Sequence, residues 1–196
     1  MFDIETFRGR HSVVIAVPSL EIVFKIFPIS LRSNALKEKE ALSFLNREKF
    51  PCAPRLYGYV ETDKSAIIIK EFITGIYFHN FFLESKISDL REVLLKILNC
   101  LHLLDKFNIF IDEMDSPRRN IVIRENQPFF IDLERWSRST IQSNVTQFLG
   151  FLLKAHKTGG EIGNRVNTIF HVDKIMESAK EYKKKRDINV VSQIFK

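Results

Sequence analysis

The segment Asp115-Ser-Pro-Arg-Arg-Asn120 is followed twelve residues on by Asp132, at the end of the apolar run Phe129-Phe-Ile131 and ahead of Leu133-Glu134. An Asp and an Asn five apart around a Pro read as a loop, because both residue types hydrogen-bond their own backbone and favour turns. The second Asp comes straight after β-formers, which places it at a strand end facing a crevice. Singly, each is an ordinary turn former. In this order they offer hard oxygen ligands for a cation and a carboxylate able to take a hydroxyl proton.

Two upstream charges sit where charge needs explaining. Lys25 lies mid-strand in Val23-Phe-Lys-Ile-Phe27, and an ammonium flanked by apolar strand residues needs a partner or an edge position. The helical segment that follows offers Glu38, since Ala41, Leu42 and Leu45 at +3, +4 and +7 share its face. Glu40 lies about 160° around the same helix, at roughly 100° per residue, and is the alternative if the helix is rotated. The plain readings are a Lys on the wet face of a sheet and a surface carboxylate.

The elements fall in a definite order. Ser12–Val17 and Ile22–Phe27 are β-branched and apolar, split by Pro18-Ser19, with an earlier strand expected before Gly9. Ser33 or Asn34 is the expected cap of a helix running to about Glu48, ended by Pro51 and Pro54. Leu56–Val60 and Ala66–Phe72 are two more strands; Thr74-Gly75 breaks the pattern, and Tyr77–Phe107 switches to helical period. After a loop over 108–120, short strands are expected at 121–123 and 128–131, and helices at 144–157 and about 166–185. Strands, one helix, strands, hinge, then mostly helix is an α+β plan, with lobes at 1–73 and 74–196.

Composition excludes several classes. The chain has 196 residues, 45% hydrophobic and 28% charged, ordinary for one core or two small lobes. No apolar run approaches the roughly 20 residues that span a bilayer. Met1-Phe-Asp-Ile-Glu5 carries acid where a signal peptide carries base, so a cytoplasmic location and no membrane partner are expected. Cys52 and Cys100 form no CxxC pair, implying neither disulfide framework nor zinc site, and the five histidines show no metal-ligand spacing. Of the net charge of +6, Lys180–Arg186 supplies +4, so a nucleic-acid surface is not written over the whole chain. That cluster is either the solvated face of a last helix or, through Lys183–Arg186, a contact for tRNA or an acidic partner.

With these residues assembled, the chain resembles the protein-kinase-like superfamily, and most of all the small archaeal predicted Ser/Thr kinases related to the RIO kinases and to the kinase subunit of the KEOPS tRNA-modification complex. The resemblance covers about residues 7–155 and rests on Val23-Phe-Lys25, Glu38, Glu71-Phe-Ile-Thr-Gly75, Glu113-Met-Asp-Ser-Pro-Arg-Arg-Asn120 and Ile131-Asp-Leu-Glu134, with Asn144-Val-Thr-Gln-Phe148 similar to the helix that follows the metal Asp. It implies a minimal bilobal fold, ATP with Mg²⁺ or Mn²⁺ as cofactors, and an ATP-dependent phosphotransferase: a small atypical serine/threonine protein kinase, or an ATPase in an assembly. Lys25 and Glu38 would form an ion pair, Asp115 would be the catalytic Asp, and Asn120 and Asp132 the metal ligands. Gly9 and Ser12 would lie near phosphate, and backbone groups at Glu71 and Ile73 near the adenine edge. Lys70 is an unusual neighbour for such a pocket.

The departures are specific. Glu113 replaces the His that usually precedes the catalytic Asp by two, Leu-Glu follows Asp132 in place of Phe-Gly, and the phosphate loop Phe7-Arg-Gly-Arg-His-Ser12 holds a single Gly. About a dozen residues separate Asp132 from the next helix, and no Ala-Pro-Glu segment follows, so the platform for peptide substrates is not expected. The rivals are a pseudokinase-like nucleotide-binding module and a small-molecule kinase of the aminoglycoside type.

Overall fold

The computed structural model describes residues 3–196; Met1 and Phe2, which open the expected N-lobe, lie outside the described residues. Two compact units divide the chain, one made of residues 1–75 with 129–136, the other of 76–128 with 137–196. The first unit thus draws in a late segment, Phe129–Trp136, that a single cut after residue 73 does not contain.

In the first unit β1 (Glu5–Arg8), β2 (Val13–Val17), β3 (Ile22–Pro28), β4 (Leu56–Glu61) and β5 (Ser65–Glu71) form an antiparallel sheet in the order β1-β2-β3-β5-β4. Strand side chains alternate between faces. Val23, Lys25 and Phe27 of β3 point to the buried side with Ala66, Ile68 and Lys70 of β5, and Lys25 pairs across the ladder with Ile68. The helix α1 (Arg32–Arg47) covers that side with a buried stripe of Ala35, Glu38, Ala41, Leu42 and Leu45. Neither Ser33 nor Asn34 caps α1. A short 3₁₀ turn over Ile29–Leu31 leads into it, and no side chain bonds its first turn. Phe130 joins this unit by donating its N–H to the Cys52 carbonyl at 2.8 Å, and the Trp136 indole N–H donates to the Lys37 carbonyl at 2.7 Å.

The second unit begins with β6 (Ile76–Tyr77), antiparallel to β8 (Ile121–Arg124). The helical period expected over 77–107 is carried by two helices, α2 (Phe78–Glu84) and α3 (Ile87–Lys106). Ser85 and Lys86 between them are extended, and the Arg165 guanidinium takes the Ser85 carbonyl, which removes any need for that group to continue a helix. β7 (Ile109–Ile111) is a short strand in the stretch expected as loop, and β10 (Trp136–Arg138) is one outside the expected elements. β8 turns into β9 (Gln127–Phe130) through Glu125 and Asn126, both at positive φ, as a two-residue hairpin with right-handed twist requires. The C-terminal pattern resolves into α4 (Asn144–Thr158), α5 (Gly160–Ile169), α6 (Val172–Lys185) and α7 (Asn189–Ser192). The core of this unit is the apolar face of α3, from Leu90 to Leu104, and an aromatic cluster in which Phe78 stands 5.5 to 6.1 Å from Phe82, Phe148 and Phe151.

Neither cysteine is a free thiol. Both Cys52 and Cys100 are disulfide-bonded, against the expectation from their spacing. Among the described residues no helix is long and apolar enough to cross a membrane.

Candidate functional site

The sheet's alternation explains why Lys25 is buried, and the α1 stripe explains what meets it. Glu38, fully buried, accepts from the Lys25 ammonium at 2.8 Å. Glu40 is exposed on the far side, so Glu38 is the partner. The same ammonium reaches Asp132 Oδ1 at 2.8 Å and Glu134 Oε2 at 3.1 Å. Burial alone would lower the Lys25 pKa, but the three carboxylates outweigh it and hold the ammonium above its ordinary value. Burial would likewise raise the Asp132 carboxyl, and Lys25 overrides it, with Lys70 adding to the effect, so that Asp132 titrates below its ordinary value. Glu38, Asp132 and Glu134 each offer an oxygen within 4.8 Å of the others, with Asp132 the one open to water.

Three residues complete this cluster without having been assigned a part in it. Glu134 bonds His11 Nδ1 at 2.9 Å as well as Lys25. Lys70, buried, donates to Glu38 Oε1 and, at 2.7 Å, to the Ile131 carbonyl. Period two carried the signal for Lys70, because Ala66, Ile68 and Lys70 share one face of β5. Nothing local marks His11, whose partner is 123 residues away.

The remaining expected residues of this unit are more plainly placed. Gly9 and Ser12 close the β1–β2 hairpin, the Gly9 N–H donating to the Ser12 carbonyl at 2.9 Å. Gly9 does not use positive φ, so its freedom is not what shapes the turn. The Glu71 N–H is taken by the Arg55 carbonyl at 2.8 Å. Ile73 is buried, and among the described residues no hydrogen bond engages its backbone.

Asp115 and Asn120 belong to the second unit. Their loop is held from α4, where the Gln147 amide accepts from the Met114 N–H and donates to the Asp112 carbonyl, both at 3.0 Å. Asn144, fully buried, accepts from the Ile111 N–H at 2.9 Å and donates to the Ile109 carbonyl at 2.6 Å and to Asp105 at 2.8 Å. Asn120 donates through Nδ2 to Glu113 Oε2 at 2.8 Å, which leaves its carbonyl oxygen facing elsewhere. Asp115 is exposed and, among the described residues, has no hydrogen-bond or ion-pair partner. Arg118 and Arg119 beside it are exposed.

Of the basic cluster, Arg186 is committed to structure: it donates to the carbonyls of Thr140, Ile141 and Gln142 at 3.0 to 3.2 Å and lies 3.3 Å from Asp105. Lys185 pairs with Glu181 on the surface. Lys183 and Lys184 are exposed. A cavity of about 230 Å³ in this unit, against His102, Asp105, Tyr182 and Arg186, holds none of the residues expected to bind nucleotide or metal.

No protein-family model and no curated protein matches the chain. Solved structures do. An aminoglycoside phosphotransferase from Streptomyces rimosus, APH(3'')-Id, aligns with a TM-score of 0.59 at 13% identity, over 97% of this chain and 89% of that one. WbdD, solved with a kinase inhibitor, aligns with a TM-score of 0.58 at 14% identity, over 97% of this chain, which spans 50% of the length of WbdD. The chain therefore shares the fold of these two structures, α+β with a five-stranded antiparallel sheet.

Proposed function

We propose that the protein is an ATP-dependent phosphotransferase, a small atypical serine/threonine protein kinase or an ATPase working in an assembly. The observation that carries this reading is the buried Lys25 ammonium bonded at once to Glu38 on α1 and to Asp132 beyond β9. A lysine held so far from water by opposite charges, beside a water-open carboxylate, is arranged for polyanion chemistry. Transfer of a γ-phosphoryl group asks for positioning and charge neutralisation above all. Lys25 would take the α and β phosphates, with Glu38 fixing its direction. Asp132 in the first unit and Asn120 in the second each supply an oxygen suited to Mg²⁺ or Mn²⁺, and such an ion neutralises phosphate charge when bound. Asp115, exposed and without a partner among the described residues, would orient the acceptor hydroxyl and receive its proton. The backbone of Ile73, unengaged, suits the adenine edge, with Glu71 beside it, and Gly9 and Ser12 sit on the hairpin that would cover phosphate.

The test is Mg-ATP turnover, or autophosphorylation, in the wild type beside Asp132→Ala. The substitution is expected to abolish it; equal rates in the two would overturn the reading. A pseudokinase-like module would instead show nucleotide binding without turnover. A small-molecule kinase is favoured by one observation, the alignment over nearly the whole length of an aminoglycoside phosphotransferase. A panel of small hydroxyl acceptors decides it: phosphorylation of any of them with none of protein would replace the protein-kinase reading. A tRNA or acidic partner, if it docks at the basic cluster, has Lys183 and Lys184 to use, and charge reversal there should flatten the salt dependence of binding.

A further inference from the structure

Lys70 has no part in the reading above, and it is built too deliberately to be a stray charge. It is 5% exposed, and its ammonium is spent on protein groups, Glu38 and the Ile131 carbonyl. A fully buried Lys is rare unless paired, and this one is paired twice. The two oxygens of Glu38 are divided between two lysines, Oε2 to Lys25 and Oε1 to Lys70. Lys70 then donates to the carbonyl of Ile131, the peptide immediately before Asp132. One ammonium on β5 therefore holds both α1 and the strand end that carries Asp132.

We infer that Lys70 is a positioning residue for the phosphotransfer site, a permanent counterion that fixes Glu38 and Asp132 so that Lys25 is free to turn to phosphate. The inference rests on the phosphotransferase reading for its consequence and on the cluster's geometry for its cause. Lys25 has three carboxylates around it, and any that it releases to reach a polyanion loses its counterion. Glu38 is the one with no access to water, and a buried carboxylate left alone is strongly disfavoured. Lys70 covers that loss. It also ties α1 to β5 through the Glu38 side chain.

The test compares Lys70→Met, Lys70→Arg, Glu38→Gln and the double variant Glu38→Gln/Lys70→Met, in the full chain, by Mg-ATP turnover, nucleotide affinity and backbone hydrogen exchange. Lys70→Met is expected to lower turnover by about 10- to 100-fold, the usual effect of removing a group that orients a reacting one. Nucleotide affinity should stay within about 3-fold, because only the positioning of the transferred group is lost. Lys70→Arg, which keeps charge and donors, should recover a large part of the turnover. In the double variant the losses should not multiply, since Lys70 acts through Glu38. Without nucleotide, exchange should rise in α1 and in 131–134 of Lys70→Met and stay unchanged in α3. Wild-type turnover in Lys70→Met, multiplied losses in the double variant, or no rescue by Arg would each overturn the inference. If the wild type itself turns over no ATP, the phosphotransferase reading fails, and exchange alone decides: α1 as protected in Lys70→Met as in the wild type sinks the positioning role.

Discussion

Glu113 shows how one departure from a familiar pattern is made good by another atom. Where the resemblance leads one to expect a His, the carboxylate takes the Asn120 amide N–H, and in the proposed site this leaves the Asn120 carbonyl oxygen as the atom for a hard cation. Glu113→Ala is expected to cut Mg-ATP turnover about 10- to 100-fold and to raise the magnesium concentration required, while Glu113→Gln, which keeps an acceptor, should retain most of both; a magnesium titration of the two variants checks this. Lys25 makes a contrasting case, because removing it leaves buried charge uncompensated. Lys25→Met is expected to cost about 3 kcal/mol in denaturant unfolding, the low end for breaking a buried pair, since Asp132 can turn to water. The pair Lys25–Glu38 was legible in the sequence because strand and helix periods each put a charge on an apolar face. Glu134 and His11 were not legible as its neighbours, since they reach the cluster across 109 and 14 residues of chain from Lys25 and no local period encodes that.

The helix α4 does for the second unit what α1 does for the first. From one turn it sends Ser143, Asn144 and Gln147 to fix the chain on either side of β7. Ser143 caps the helix through the Thr146 N–H, and the Asp105 carboxylate takes the Ser143 hydroxyl and the Asn144 N–H at 2.7 Å each. Asn144→Ala would strand the Ile111 N–H and the Ile109 carbonyl in the core, at about 1–3 kcal/mol for each group left unmade. A loss of about 3 kcal/mol in urea unfolding is expected. Gly163 reports on a close helix crossing: a Cβ there would stand 2.8 Å from the Ala155 carbonyl oxygen on α4, and backbone cannot move aside as a side chain can. Gly163→Ala should therefore destabilise by about 1–3 kcal/mol, as overpacking does, and a thermal melt measures it. The helical periods of α3, α4 and α6 were readable in advance. The break at Ser85-Lys86 was not, because its cause is a guanidinium 80 residues further on.

For the whole chain, the order of elements was enough to reach the α+β plan, since a β-rich first part and a helical second part follow from period alone. What period does not supply is how the buried polar groups are partnered across the chain, and that sets how stability answers pH. His102 is buried, and burial, with Lys106 next, holds its pKa below the ordinary value; Arg186 adds to the lowering, and Asp105 and Asp187 oppose it. Its Nδ1 lies 2.8 Å from the Tyr182 hydroxyl, which itself donates to Asp105 at 3.1 Å and so accepts from the ring N–H. A base whose folded pKa is depressed takes its proton in the unfolded chain first, so stability is whole above about pH 6.5 and falls as pH drops below it. Asp132, depressed as an acid, keeps its contribution above about pH 3.9 and loses it only as pH falls through its lower folded value. Lys25 is raised, so its contribution is whole below about pH 10.4 and is lost as pH climbs toward the folded value. Burial, with Asp105 next, holds the Tyr182 phenol above its ordinary value, so the thermal midpoint should be level from about pH 6.5 to about pH 10 and decline first on the acid side. His102→Gln, which keeps a donor toward Tyr182 and cannot titrate, should flatten the decline between about pH 6.5 and pH 4 and leave the steeper carboxylate loss beneath it. An acid limb identical in the variant and the wild type would place the titrating group elsewhere.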